Sequence, residues 1–134
     1  MRGYNLVALS PEGELLGSAV FDTLADVGAA QAMAEWLAGW PVGTIIAGAL
    51  ADEASTNLDQ SAVNALQGIG VATDLRGKFR WSHAFIGAAG AAPASALEQA
   101  GLLAPATVFV GAPASSEQVF GRLQTIEVFP KQGE

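Results

Sequence analysis

Apolar positions divide the chain into short runs whose spacing predicts alternating kinds of local structure. Residues 4 to 9 and 15 to 21 are apolar and β-compatible, and Pro11-Glu12-Gly13-Glu14 between them has the Pro and Gly placement of a tight turn, which predicts a hairpin. From Asp26 to Ala38 the apolar residues Ala30, Met33, Ala34 and Leu37 recur at helical spacing; this predicts a helix capped by Asp26 and closed by Gly39 and Pro41. Gly43 to Leu50 is apolar on both alternations, as expected of a central strand covered on both faces. A second helix is predicted from a cap at Asp59 to Leu66, with Ala62, Val63 and Leu66 inward and Gly68 and Gly70 ending it. Phe79 to Ala88 is predicted as a strand and Pro93 to Ala100 as a short helix. Two further strands are predicted at Ala106 to Ala112 and Thr125 to Phe129, separated by the polar Ser115-Ser116-Glu117-Gln118.

Strands and helices mix without the strict alternation of a doubly wound sheet. The expected class is therefore α+β: a compact sandwich-like domain with two or three helices. The 134 residues suit one domain, with neither internal repeat nor linker, and are enough to enclose a core without metals or disulfides. Composition narrows the chemistry. With no cysteine, disulfide scaffolds, thiolate zinc sites and cysteine nucleophiles are excluded. Thirteen acidic against six basic side chains give a net charge of -7, which opposes approach to nucleic acid or an anionic membrane. The opening residues, Met1 to Ser10, lack the apolar run of a signal peptide, and no stretch reaches the roughly 20 apolar residues of a membrane span. Alanine, at 27 residues, implies a weakly charged surface suited to being covered by a partner.

Catalytic machinery is sparse. His83 is the single histidine, so no transition-metal centre is expected, and Asp22, Asp26, Asp52, Glu53 and Asp59 match no oxygen-ligand loop for Mg or Ca. Ser82 and His83 are neighbours that point to opposite faces of a strand and cannot share a proton. There is no G-x-S-x-G, P-loop or G-x-G-x-x-G, and no cofactor is called for. Three of the six basic residues, Arg76, Lys78 and Arg80, fall at i, i+2, i+4, and in extended chain would form a positive ridge opposite Phe79, Trp81 and His83. Two readings of this ridge stand side by side: Arg donors and a Trp floor that hold a polar ring, or a charge-protected edge strand with Phe79 and Trp81 in the core.

An ordered set of blocks carries a resemblance. Arg2-Gly3-Tyr4-Asn5-Leu6-Val7-Ala8-Leu9, Ser18-Ala19-Val20-Phe21-Asp22-Thr23, Gly43-Thr44-Ile45-Ile46-Ala47, Ala51-Asp52-Glu53-Ala54-Ser55, Leu66-Gln67-Gly68-Ile69-Gly70 and Phe79-Arg80-Trp81-Ser82-His83-Ala84-Phe85-Ile86-Gly87 resemble, in order and near spacing, the interleukin-like EMT inducer (ILEI/PANDER) domain. The resemblance covers about residues 2 to 100, giving an ILEI/PANDER-like domain at 1–101 and a β-rich extension at 102–134 packed on the same domain or on a partner. It implies a non-catalytic domain of paired antiparallel sheets flanked by helices. Family members include secreted cytokine-like proteins, a glycosyltransferase stem domain that binds N-acetylglucosamine, and phage tail-associated chains. By motif, the glycan-binding residues carried over are Arg2, Asp52 and Arg80, with Trp81 beside them. The resemblance thus implies a binding module for an N-acetylglucosamine-type glycan in an exterior assembly. The alternative is a structural or interaction subunit of a virion, tail or surface layer, in which Arg2, Asp52 and Arg80 form only a structural ion network. Partners are then a glycan or other protein subunits, through 102–134 in the latter case, with no nucleic acid and no membrane insertion. Two departures from the family pattern count against the carry-over: His83 replaces the usual aromatic before Ala-Phe, and the family's disulfide cysteines are absent, so cytokine-like signalling by a secreted dimer is not expected.

Overall fold

Alternation along Gly3–Leu9 (β1) sends Tyr4, Leu6 and Ala8 into the core while Asn5 and Val7 stay half-buried. The chain turns through residues 10–14 and returns as Leu15–Phe21 (β2), paired antiparallel with β1 as the sequence predicts. A computed structural model describes residues 1–109; in it Ile45–Ala51 (β3), Ser82–Ala88 (β4) and Leu97–Gly101 (β5) complete a single five-stranded antiparallel sheet of order β2-β1-β3-β4-β5. Helices Ala29–Ala38 (α1) and Gln60–Gln67 (α2) pack on each other, and their inward residues Ala30, Met33, Leu37, Ala62, Val63 and Leu66 share one core with Tyr4, Leu6, Ile46, Leu50 and Phe85. The α+β class holds. The expected second sheet is absent among the described residues, because one sheet face takes both helices.

The prediction of a doubly covered central strand is met. β3 is third of five, and Ile46 and Leu50 are buried in the helix-side core while Ala47, Ala49 and Ala51 alternate with them and are buried as well. At its middle, Gly48 faces Phe85 across the β3–β4 ladder, and a Cβ there would collide with the Phe85 ring. The aromatic fills the volume that the glycine leaves. Asp59 caps α2 as predicted, its carboxylate accepting from the Ala62 N–H at 3.0 Å.

Four expectations are corrected. Helix α1 starts at Ala29 behind Gly28, and Asp26 does not cap it: its carboxylate accepts from Gly28 N–H and closes a local turn. Residues 93–100 do not form a helix. After a turn at Ala92–Ser95, Leu97–Gly101 pairs with the free edge of β4, and the Glu98 carboxylate binds the Ala72 and Thr73 N–H groups; tertiary partners override the helical preference of a short Ala-rich segment. The strand expected from Phe79 begins only at Ser82, because residues 75–81 are two successive turns bonded Lys78 N–H to Leu75 O and Trp81 N–H to Lys78 O. Residues 106–109 form no strand, and the remainder of the Ala106–Ala112 expectation, with Thr125–Phe129, lies outside the described residues.

Candidate functional site

The carboxyl end of β3, the turn before β4 and residues 102–106 enclose a cavity of about 260 Å³. Asp52, Arg80, Trp81 and Ser82 line it together with the apolar segment Leu102, Leu103, Ala104, Pro105 and Ala106. Three of the four residues expected to contact a glycan thus meet at one opening. Arg2 does not line it. The pairing of Gly3 with Ala51 brings Arg2 to the same end of the sheet as Asp52, and the Asp52 charge acts on it, but its guanidinium is engaged bidentately by Asp22, with the closest N–O distance 2.8 Å. The hydrogen bond and charge of Asp22 raise the Arg2 pKa, and Arg2 in turn lowers that of Asp22. The expected Arg2–Asp52–Arg80 ion network is therefore corrected: Asp22 lies closer in the hairpin and offers two oxygens to the fork of Arg2.

The positive ridge is corrected as well. Because residues 75–81 turn, Arg76, Lys78 and Arg80 point to separate partners: Arg76 to Asp74 and Gln60, Lys78 over the Trp81 ring at 4.5 Å, and Arg80 over the Phe79 ring at 5.5 Å. Arg80 and Trp81 still reach the cavity, but as parts of a turn rather than of a strand face.

Backbone strain marks the same opening. Asp52 has φ 67° and Arg80 φ 60°, two of the three non-glycine residues with positive φ among those described. Left-handed backbone costs an L-residue about 1–2 kcal/mol, less for Asp than for Arg, and persists where the surroundings enforce it. Glu53 is the chain neighbour of one strained residue and bonds the other. It is buried, and accepts from the N–H and hydroxyl of Ser55 at 2.8 and 2.6 Å, from the hydroxyl of Thr56 at 2.9 Å, and from the Arg80 N–H at 3.4 Å. Burial alone would raise the Glu53 pKa, but these donors outweigh it and the net shift is downward. Glu53 therefore ties the turn bearing Arg80 to the loop bearing Asp52.

A family model described as interleukin-like EMT inducer matches residues 2–91. The chain belongs to the interleukin-like EMT inducer (ILEI) family. No curated protein matches it. The cavity straddles the limit of the ILEI match: Leu50, Ala51, Asp52 and residues 80–83 lie inside it, whereas the wall of residues 102–106 lies beyond.

Behind the ILEI cavity lies a second polar group with no unmet bonds. His83 is buried and lines the cavity's inner end; its Nε2 donates to Glu98 at 3.2 Å, and its Nδ1 accepts from the Tyr4 hydroxyl at 3.1 Å. Glu98 fixes this tautomer, because an ionised carboxylate only accepts. Burial would raise Glu98, yet the donors from His83, Thr73 and Ala72 together hold its pKa at about 2. Burial, with nearby carboxylates, pushes the Tyr4 hydroxyl above its usual range. Ser82 points away from His83, its hydroxyl reaching the Gly101 and Ala104 carbonyls, so the two share no proton, as expected. Among the described residues there is no cluster of three metal-ligating side chains, and no helix is long and apolar enough to cross a membrane.

The sequence did not reveal the Tyr4–His83–Glu98 chain, the role of Glu53 or the wall at 102–106. The only available signals were a lone histidine in an apolar strand and the pair Leu102-Leu103 between Gly101 and Pro105.

Proposed function

We propose that this ILEI domain is a non-enzymatic binding module whose cavity takes a single sugar ring of the N-acetylglucosamine type, within an exterior or surface assembly. The observation that carries this reading is the convergence of Asp52, Arg80 and Trp81 on one opening, two of them on strained backbone. Asp52 supplies a charged acceptor for vicinal hydroxyls, Arg80 directional donors, and Trp81 a flat apolar surface, the combination a polar ring needs. At about 260 Å³ the space lies just under the roughly 300–1,000 Å³ of drug-sized sites, which suits one ring rather than an oligomer. Arg2 is left to its pair with Asp22 and takes no direct part. Calorimetric titration with N-acetylglucosamine tests this: binding that disappears in Asp52→Ala, while circular dichroism is unchanged, supports it, and a wild-type protein that binds no sugar overturns it.

A second reading, a structural or interaction subunit of a virion, tail or surface layer, is favoured by β2. Among the described residues this is an edge strand, and it leaves Leu15, Leu16 and Val20 exposed. Sedimentation of the full chain tests it, since a monomer at every concentration, unchanged by Leu16→Lys, argues against it.

A further inference from the structure

We infer that residues 102–106 are the specificity-determining wall of the cavity and select sugars that carry an apolar acyl substituent; this rests on the binding role proposed above. Three observations lead there. The wall lies beyond the residues that the family model matches. It is apolar, with Leu102 and Leu103 at the cavity while 55% and 95% exposed, so Leu103 has almost no partner within the described structure. It is also held in place: the Ser82 hydroxyl lies 2.9 Å from the Gly101 carbonyl and 2.6 Å from that of Ala104, and Thr107 N–H donates to the Gln99 side chain at 2.8 Å. A free loop would carry its leucines anywhere. Tied at both ends, this one keeps them at the cavity that Asp52 and Arg80 also line.

The division of labour follows from chemistry. Hydroxyls of the ring meet the charged side, and any group projecting from the ring toward residues 102–106 meets hydrocarbon and displaces water from it. Such a group gains when it is apolar and of a few carbons, which an amide- or ester-linked acyl chain supplies. Ser82 lines the cavity, but its hydroxyl is engaged by the Gly101 and Ala104 carbonyls, so it acts as a positioning residue through the backbone of the wall.

The test is a titration series of glucosamine bearing free amine, N-acetyl, N-propanoyl and N-butanoyl groups, against the full chain, Leu102→Ser/Leu103→Ser and Ser82→Ala. In the wild type, affinity is expected to rise by two- to fourfold with each added methylene, the upper value being complete burial at about 0.8 kcal/mol per methylene. In the leucine variant, which alters only exposed side chains, the dependence on chain length flattens while the N-acetyl sugar still binds. Ser82→Ala weakens the dependence without removing it. A wild type that binds all members equally, or a leucine variant that keeps the wild-type slope, overturns the inference and leaves the binding role standing; a wild type that binds none of them overturns both.

Discussion

Asp52 and Glu53 are neighbours in the chain and carry the same charge, yet their surroundings are opposite. Glu53 is buried and its two oxygens are filled by donors from Ser55, Thr56 and Arg80. Asp52 is exposed at a cavity, in left-handed backbone, with no hydrogen-bond partner among the described residues. The same contrast recurs between the Tyr4–His83–Glu98 chain, where every polar atom has found its complement within the fold, and the Arg80–Trp81 turn in front of it. A group already satisfied by its own protein has little left for a ligand, whereas one held in a costly conformation without a partner has its capacity in reserve. The fold thus spends one set of polar residues on holding shape and leaves another set open.

Substitutions break this comparison most sharply on the satisfied side. Glu53→Ala strands the buried N–H and hydroxyl of Ser55 and leaves a cavity, and is expected to cost about 3–5 kcal/mol, read as a lower urea midpoint. Next comes pH. Glu98 has a folded pKa of about 2 against an ordinary 4.5, so its contribution is fully present above the ordinary value and is lost as pH falls toward 2. On the order of 3 kcal/mol should vanish between about pH 6 and pH 2, with Glu53 adding loss in the same direction, and Glu98→Gln should flatten that part of the curve. On the open side the sign reverses. Asp52→Gly relieves left-handed strain but loosens the unfolded chain, so stability should hold or rise by up to about 1 kcal/mol while sugar binding is abolished. A marked loss of stability would place Asp52 with the structural residues instead. The smallest effect is expected at Arg2, whose pair with Asp22 is exposed by 41% and 33%: Arg2→Ala should leave the denaturation midpoint within error and sugar affinity within about twofold. A loss of binding as large as that of Asp52→Ala would restore Arg2 to the site.

Much of this architecture could be read from local pattern. The hairpin, the Asp59-capped helix and the doubly buried β3 all follow from spacing and turn chemistry within a dozen residues, and the structure has them where the sequence predicts. The Asp52, Arg80 and Trp81 cluster came from ordered motifs, and the antiparallel pairing of β3 with β4 brings the two motif-bearing ends together. Prediction failed where a distant partner decided the outcome. Leu97–Gly101 became a strand because β4 had an open edge, the basic residues at 76, 78 and 80 diverged because Glu53 and Asp74 captured their turn, and Arg2 turned to Asp22.

By itself the sequence determined which short segments could be helix or strand, that the chemistry would proceed without thiols, and which family's motifs were present in order. Only the tertiary structure decided which carboxylate each arginine met, which of two adjacent acids was sealed and which was left open, and that residues beyond the family match join the cavity's lining. The reason is physical: backbone preference and periodicity act over a few residues, whereas a charge or a strand edge is satisfied by whatever the fold brings within about 3 Å of it, regardless of separation along the chain.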